Sequence, residues 1–311
     1  MGSPILVTGA TGGHGSTGRH VVLRLIEAGE TVRALVRRRD ERTKPLEALG
    51  VEIVVGDLTD RLSLLPAFEG VERATFTYPI ASGVVEAAAA FSAAARESSK
   101  PPRIVVMSMA PAHPQSPSHL GRAQWLAEEV MAWAGLEILV LRIAALFFEN
   151  LPMLHGRSIV EDGLIRNNFG DTRLPWISGA DAGDLVVAAL LHPDRFGGNA
   201  VQYPPGVELL SHAEIARILS QSLGRPIGYE AISAEAWRDD LIASAKANPG
   251  GAINVDMARH ISAVAAALAT PGAAPARLPE PAELQRLTGH SPVYFGDFIT
   301  GPNAPFKGRS A

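Results

Sequence analysis

The feature that most constrains this chain is a short apolar segment, residues 5–8, that leads directly into a glycine-rich loop over residues 9–18. A helical pattern follows from about residue 18. A glycine loop between a strand and a helix lets backbone N–H groups approach a pyrophosphate at the helix N-terminus, where the helix dipole favours negative charge. The pattern therefore predicts a nucleotide-binding loop, with a ligand-free glycine-rich turn as the alternative. The binding candidates in the loop are Gly9, Thr11, Gly12, Gly15 and Gly18.

Apolar strands alternate with amphipathic helices through the first half of the chain. Strands separated by helices form βαβ units, so the alternation predicts an α/β fold built on a Rossmann-type, doubly wound parallel sheet. The predicted strands cover residues 5–8, 31–36, 52–55, 74–77, 103–107 and 137–141.

The pattern changes after residue 150. The sequence predicts an irregular segment over residues 150–180, which holds Pro152, His155, Asn167, Asn168, Pro175 and Trp176. Ser211 and Glu214 form a capping-box pattern at the start of a helix, and Gly224 predicts its end. We expect a cofactor-binding Rossmann lobe over residues 1–150, to which a helix over 182–191 returns, and a smaller, mostly helical substrate lobe over 151–311.

Composition excludes several classes of function. The net charge of −4 gives no electrostatic basis for a nucleic-acid partner, and a chain with no cysteine has neither disulfides nor a thiol nucleophile. The nine histidines show no metal-ligand spacing, so no metal site is expected. The most apolar run, residues 136–148, is short and contains Arg142, and Met1 leads almost directly into the first strand. We therefore expect a cytoplasmic protein without a membrane segment.

Three arginines, Arg37, Arg38 and Arg39, follow the second predicted strand. NAD sites usually place a carboxylate there to bind the ribose hydroxyls, whereas a guanidinium binds a phosphate with two parallel hydrogen bonds. The run favours NADPH over NADH, with Arg37 as the best-placed residue and Arg38 beside it; a solvated charge run is the alternative. Asp57, after the third strand, is a candidate for the adenine amino group or a turn residue.

Short motifs with a common order and spacing extend over nearly the whole chain. They include residues 8–12, 32–37, 56–58, 141–142, 148–150, 176–177, Asp181, 287–290 and Phe298. Together they resemble the NmrA-like branch of the atypical short-chain dehydrogenases. The resemblance implies a Rossmann lobe that binds NADP(H) and a smaller C-terminal lobe. It also implies one of several functions, because some members reduce quinones or related compounds, some carry out plant-type phenolic reductions, and others only sense the cofactor.

The chain departs from that family in two places. Gly15 is followed by Ser16, Thr17 and Gly18, so the loop is about three residues longer than the usual pattern. Gln124 stands where family members often carry a lysine or histidine, so no catalytic lysine is expected on that helix.

The usual carbonyl-reducing pair is missing, because none of the four tyrosines has a lysine four residues later. Hydride transfer to an acceptor that is already electrophilic needs less help, chiefly orientation against the nicotinamide. The candidate hydrogen-bond or proton donors are Tyr78, Ser108, His119, in the loop before a helix predicted over 122–134, and Gln124. The candidates for an apolar substrate cleft, each of which is otherwise a core residue, are Phe147, Phe148, Asn150 and Trp176.

These patterns predict an NADPH-dependent oxidoreductase that acts on a small apolar or aromatic electrophile, such as a quinone, an activated enone or a carbonyl compound. An NADP(H)-sensing regulator, which binds a protein partner and catalyses nothing, is the alternative. A cofactor-assisted isomerase or lyase is a third reading. The sequence leaves the substrate and the oligomeric state open.

Overall fold

The computed structural model describes residues 2–12, 17–198, 200–302 and 304–306, so the predicted loop residue Gly15 lies outside the described residues. Up to residue 143 the elements are β1 (Ile5–Thr8), α1 (Thr17–Glu27), β2 (Val32–Val36), α2 (Lys44–Ala48), β3 (Glu52–Val55), α3 (Arg61–Leu64), β4 (Arg73–Phe76), α4 (Val84–Glu97), β5 (Arg103–Met109), α5 (His119–Trp133) and β6 (Ile138–Ile143). From residue 146 they are β7 (Leu146–Phe147), α6 (Asn150–Glu161), β8 (Leu164–Asn167), β9 (Leu174–Ile177), α7 (Gly179–Leu191), β10 (Val201–Gln202), β11 (Glu208–Leu210), α8 (His212–Leu223), β12 (Gly228–Ala231), α9 (Ala234–Ala247), α10 (Val255–Leu268), α11 (Pro281–Thr288) and α12 (Phe295–Thr300).

Seven strands form one parallel sheet in the order β10-β6-β5-β4-β1-β2-β3. Ile5 of β1 lies opposite Val32 on one side and Arg73 on the other, so the connections leave β1 in both directions. The predicted doubly wound Rossmann-type fold is confirmed. In such sheets ligands bind beyond the carboxyl ends of the strands, where the strand order reverses, which here is next to β1.

The chain divides into two compact units. Unit 1 comprises residues 1–116, 120–143 and 182–204, and unit 2 comprises residues 117–119, 144–181 and 205–311.

The core of unit 1 lies between the sheet and its helices. Strands β1 and β2 are buried along their whole length, as expected for parallel strands covered on both faces. On one face the ring of Phe91 packs edge-on against Phe68 at 4.9 Å and against Phe76 at 5.1 Å. This packing fixes β4 and α4 in place and therefore the carboxyl edge of the sheet.

Unit 2 combines helices α6 and α8 to α12 with a three-stranded sheet, β11-β9-β7, and a two-stranded sheet, β12-β8. The capping box predicted at α8 is confirmed, since the Ser211 hydroxyl accepts from the Glu214 N–H and the Glu214 carboxylate accepts from the Ser211 N–H. Gly224 ends the helix in the left-handed conformation.

The prediction of an irregular segment over 150–180 is wrong. That stretch contains α6, β8 and β9. Pro152 lies in the first turn of α6, where the backbone N–H groups have no intrahelical partner and a proline is tolerated. Reading this proline as a helix breaker hid the helix. Among the helices that the structure describes, none is long and apolar enough to cross a membrane.

Candidate cofactor and active site

The glycine loop begins as a tight turn at the end of β1. Gly9 has a φ of +75°, and the Gly12 N–H donates to the Gly9 carbonyl at 3.0 Å. A Cβ on Gly18 would lie 2.2 Å from the same carbonyl oxygen, so the first turn of α1 packs directly on the loop. This close approach is one of the reasons dinucleotide-binding loops need glycine.

The N-terminus of α1 carries no acidic residue in its first turn, so its positive dipole end is not neutralised from within the helix. Below it, Thr8 joins β1 to β4. The Thr8 N–H donates to Thr75 Oγ1 at 3.1 Å, and Thr8 Oγ1 accepts from the Thr77 N–H at 2.8 Å. The loop therefore stands on a rigid strand pair.

Arg37 directly follows β2, is exposed and makes no ion pair with another described residue. Hydrogen bonds from Thr59 lower the pKa of Asp57, and the positive charge of Arg37 adds to that lowering. Burial raises the pKa of Tyr78, and the same positive charge opposes that rise. The structure thus brings together three predicted site residues from the carboxyl ends of β2, β3 and β4.

The neighbouring arginines are held by carboxylates. Arg38 Nε lies 3.2 Å from Asp40 Oδ2. Arg39 donates to Glu47 Oε1 at 2.7 Å and to the Ile53 carbonyl at 3.0 Å, which ties it to α2 and β3. Of the arginine run, Arg37 is therefore the residue whose guanidinium the described chain leaves most available.

Asp57 lies in a turn after β3. Its Oδ1 accepts from the Thr59 N–H at 2.9 Å and from the Thr59 hydroxyl at 2.8 Å, and the backbone hydrogen bond lowers the pKa of Asp57. The carboxylate is ionised and exposed. A contact with adenine stays a prediction for this residue.

Tyr78 follows β4 and donates its hydroxyl to the Ser82 carbonyl at 3.1 Å. Gly83 has a φ of +95°, and a Cβ there would lie 2.8 Å from the Tyr78 hydroxyl oxygen. Burial raises the pKa of Tyr78, so the phenol is protonated at neutral pH. Tyr78 can donate a hydrogen bond but is not primed to release a proton.

Ser108 belongs to a buried polar network in unit 1. Ser108 on β5 and Arg142 on β6 are register partners, and α5 places Glu128 against both. Ser108 Oγ donates to Glu128 Oε1, while Arg142 donates through Nε, at 2.9 Å, and Nη2 to Glu128 Oε2. Arg142 Nη1 also donates to the Tyr203 hydroxyl at 2.6 Å.

Burial raises the pKa of Glu128, and the hydrogen bonds from Arg142 and Ser108 oppose that rise. The network uses the hydroxyl hydrogen of Ser108 internally. Sequence reasoning missed Glu128, Arg142 and Tyr203 as site neighbours. The available signal was Arg142 itself, a charged residue inside the most apolar run of the chain.

Two candidates lie on α5. The expected loop position of His119 is wrong, because α5 begins at His119, three residues before the predicted start at 122. The added first turn contains Leu120 and Gly121, and both residues are buried. His119 is exposed, whereas Gln124 is 8% exposed. Their donor roles stay predictions.

Unit 2 contains the four cleft candidates. Phe148 and Trp176 are 0% and 1% exposed and stack at 6.3 Å, and the Trp176 indole N–H donates to the Leu210 carbonyl at 2.9 Å. These two side chains form core, whereas Phe147 and Asn150 are partly exposed. Contact with a substrate stays a prediction.

Two further residues of the family motifs, Glu149 and Asp181, make hydrogen bonds at the start of α7. The Glu149 carboxylate accepts from the Gly179 N–H at 2.9 Å, and the Asp181 N–H donates to Ser178 Oγ at 2.9 Å. Asp181 Oδ2 also accepts from the Val293 N–H at 3.0 Å. These contacts cap the first turn of α7 and, within unit 2, join Asp181 to Val293. Among the described residues, no group of three or more histidines and carboxylates could hold a metal ion.

The chain is similar in sequence or in fold to several known proteins. NAD(P)H azoreductase of Xenophilus azovorans is 32% identical over 237 residues, which cover 74% of this chain and 78% of that protein. An NADPH-dependent quinone oxidoreductase of Escherichia coli, complexed with NADPH, has a TM-score of 0.76 at 20% identity and covers 95% of this chain and 98% of its own. NmrA, a negative transcriptional regulator, has a TM-score of 0.74 at 17% identity, with 99% and 97% covered.

The predicted resemblance is confirmed. A model of the NmrA-like family matches residues 1–269. The chain belongs to the NmrA-like family.

Proposed function

We propose that this protein is an NADPH-dependent oxidoreductase that transfers a hydride to a small conjugated electrophile, such as a quinone or an activated enone or carbonyl compound. The observation that carries the proposal is the carboxyl edge of the sheet in unit 1. There, a tight glycine turn at β1 stands beside Arg37, an exposed cation without an ion pair in the described chain, at the end of β2.

The residues present fit NADPH. The helix dipole of α1 and the N–H groups of the loop from Gly9 to Gly12 suit the pyrophosphate. The guanidinium of Arg37 suits the 2′-phosphate, and Arg38 is a second cation beside it. The close packing of Gly18 on the loop leaves no room for a larger side chain.

When bound, the reduced nicotinamide supplies a hydride, and the acceptor then needs one proton from a donor or from water. Ser108 donates its hydroxyl hydrogen to Glu128, so it suits orientation better than proton supply. The electrostatic coupling of Tyr78 to Arg37 and Asp57 favours a place beside the adenosine half of the cofactor. Gln124 carries amide donors that can orient a carbonyl oxygen without giving up a proton.

An acceptor of high electron affinity suits a site whose side chains can orient it but are not primed to release a proton. Hydride addition to a quinone gives a phenolate-type oxyanion, and addition to an enone gives a resonance-stabilised enolate. Both are weaker bases than the alkoxide formed from a simple carbonyl compound, so water or a single donor can supply the proton once geometry is set. The azoreductase and quinone oxidoreductase names of the two similar proteins support an acceptor of this class.

The test is NADPH oxidation, followed by its absorbance, across a panel of quinones, azo dyes and enones, with NADH in parallel. We expect turnover with at least one class and a preference for NADPH. Tight NADPH binding with no turnover across the panel would overturn the enzymatic proposal.

A cofactor-sensing regulator is the second candidate. It is supported by the missing Tyr-x-x-x-Lys pair and by the inward hydrogen bond of Ser108. It predicts that NADPH and NADP⁺ change the association of the protein with a partner protein differently. Identical partner binding in both cofactor states would remove it.

A further inference from the structure

Asp40, in the loop after β2, is the centre of a local ion-pair cluster. Its Oδ2 accepts from Arg42 Nη2 at 2.6 Å and from Arg38 Nε at 3.2 Å. Its Oδ1 accepts from Arg42 Nε at 3.1 Å and from the Arg42 backbone N–H at 3.0 Å. One carboxylate thus satisfies two guanidinium groups, as a phosphate in that position would.

Arg42 also lies against the glycine loop. Its Nη1 is 3.4 Å from the Thr11 carbonyl oxygen, on the turn that follows β1. The Asp40 cluster therefore stands where the loop and the arginine run meet.

We propose that Asp40 is an internal counter-anion for Arg38 and Arg42 that a 2′-phosphate must displace, and that it thereby sets how strongly the site prefers NADPH over NADH. The inference rests on the proposed cofactor site and adds to it a residue, Asp40, that weakens NADPH binding by competing with the 2′-phosphate. Arg42 thereby joins Arg37 and Arg38 as a third arginine for the phosphate.

The displacement is physically reasonable because the cluster is exposed. The Arg42 and Arg38 side chains are 57% and 77% exposed, and ion pairs in water contribute little to stability. A phosphate monoester carries more negative charge than a carboxylate and offers three acceptor oxygens. NADH has no phosphate at that position, so it leaves the Asp40 contacts intact.

The experiment measures dissociation constants for NADPH and NADH by cofactor fluorescence in wild type, Asp40→Asn and Arg42→Gln. Asparagine keeps an oxygen for the Arg42 backbone N–H, so the turn is preserved while the charge is lost. We expect Asp40→Asn to tighten NADPH binding by about three- to tenfold, with NADH changed less than about twofold. Arg42→Gln should weaken NADPH selectively, and Asp40→Asn should gain less in that background.

The matched control is Glu41→Gln. Glu41 is the adjacent, exposed carboxylate, pairs with Lys44 at 2.6 Å, and its substitution changes the net charge equally. It should leave the NADPH to NADH ratio unchanged. Thermal unfolding checks each fold, and Asp40→Ser, which also keeps a turn oxygen, replaces Asp40→Asn if that variant does not fold.

An unchanged ratio in Asp40→Asn, an equal gain for NADH, or weaker NADPH binding would overturn this inference. The last result would mean that Asp40 holds Arg42 in place for the phosphate rather than competing with it. Absence of NADPH binding in the wild type would instead refute the proposed function, so the two failures are distinguishable.

Discussion

In unit 1 the buried carboxylate of Glu128 is paired with the guanidinium of Arg142, whereas in unit 2 three buried histidines meet neutral groups. His155 stacks on the Trp237 ring at 5.9 Å and lies 3.5 Å from the Asn167 amide nitrogen. Unit 1 therefore buries charge that is compensated by an opposite charge, and unit 2 buries titratable groups that must stay neutral.

The other two histidines follow the same rule. His212 stacks on Phe169 at 4.9 Å, and His260 shares a hydrogen bond of 2.6 Å with Ser118. Burial lowers the pKa of His155 to about 4 and that of His260 to about 4, and it also lowers the pKa of His212 well below its usual value. The stability of unit 1 therefore depends on a buried partner charge, whereas the stability of unit 2 depends on the pH.

The largest effect is expected from breaking the ion pair of unit 1. Arg142→Leu leaves Glu128 buried without its cation and should lower the free energy of unfolding by about 3–5 kcal/mol. Urea denaturation measures the change. Arg157→Leu, which breaks an exposed pair with Glu161, is the control and should cost less than about 0.5 kcal/mol. Equal losses of unfolding free energy in the two variants would contradict the prediction that the buried pair matters more than the exposed one.

The second-largest effect is expected from acid, which should lower the stability of unit 2. A histidine whose folded pKa lies below its unfolded value binds a proton on unfolding, so its contribution is complete above about pH 6.5 and is lost as the pH falls towards 4. For His155 alone the loss is roughly 3 kcal/mol at pH 4. Hydrogen-exchange protection factors, which correct for the slower intrinsic exchange in acid, should therefore fall in unit 2 peptides before unit 1 peptides as the pH falls from 6.5.

A variant isolates the histidine contribution. His155→Phe keeps an aromatic ring against Trp237 and removes the titrating group, so the stability of the variant should fall less steeply with acid. Replacing the exposed His113 by asparagine should leave the slope unchanged. An unaltered slope in His155→Phe would contradict the assignment.

A smaller effect is expected at the glycine loop of unit 1. Gly18→Ala places a Cβ against the Gly9 carbonyl and should cost about 1–3 kcal/mol, with weaker NADPH binding. Gly198, in unit 1, has open space around its Cβ position, so Gly198→Ala is the matched control and should change neither quantity. Thermal unfolding and NADPH titration measure both.

Much of unit 1 was predictable, because a buried parallel sheet produces local apolar strands bounded by glycines. The strand over residues 5–8 and the one over 52–55 fall where the sequence places them. The capping box at Ser211 is equally local. Helix α6 was not predicted, because Pro152 looks like a helix-breaking residue unless it is known that the helix begins at Asn150.

The candidate site was predictable only where its signal is local. The loop and Arg37 follow from residues next to a strand end. The pairing of Glu128 with Arg142 joins a helix to a strand, and burial and register create it, so no short pattern reveals it. Arg42 lay unnoticed because its importance comes from its contact with Thr11 across the loop.

Cofactor titration of Arg37→Gln tests most directly whether the carboxyl edge of unit 1 selects NADPH through Arg37. We expect the wild type to bind NADPH more tightly than NADH, and Arg37→Gln to weaken NADPH binding by about tenfold while NADH binding changes little. Equal weakening of both cofactors, or an unchanged NADPH affinity in Arg37→Gln, would contradict this expectation.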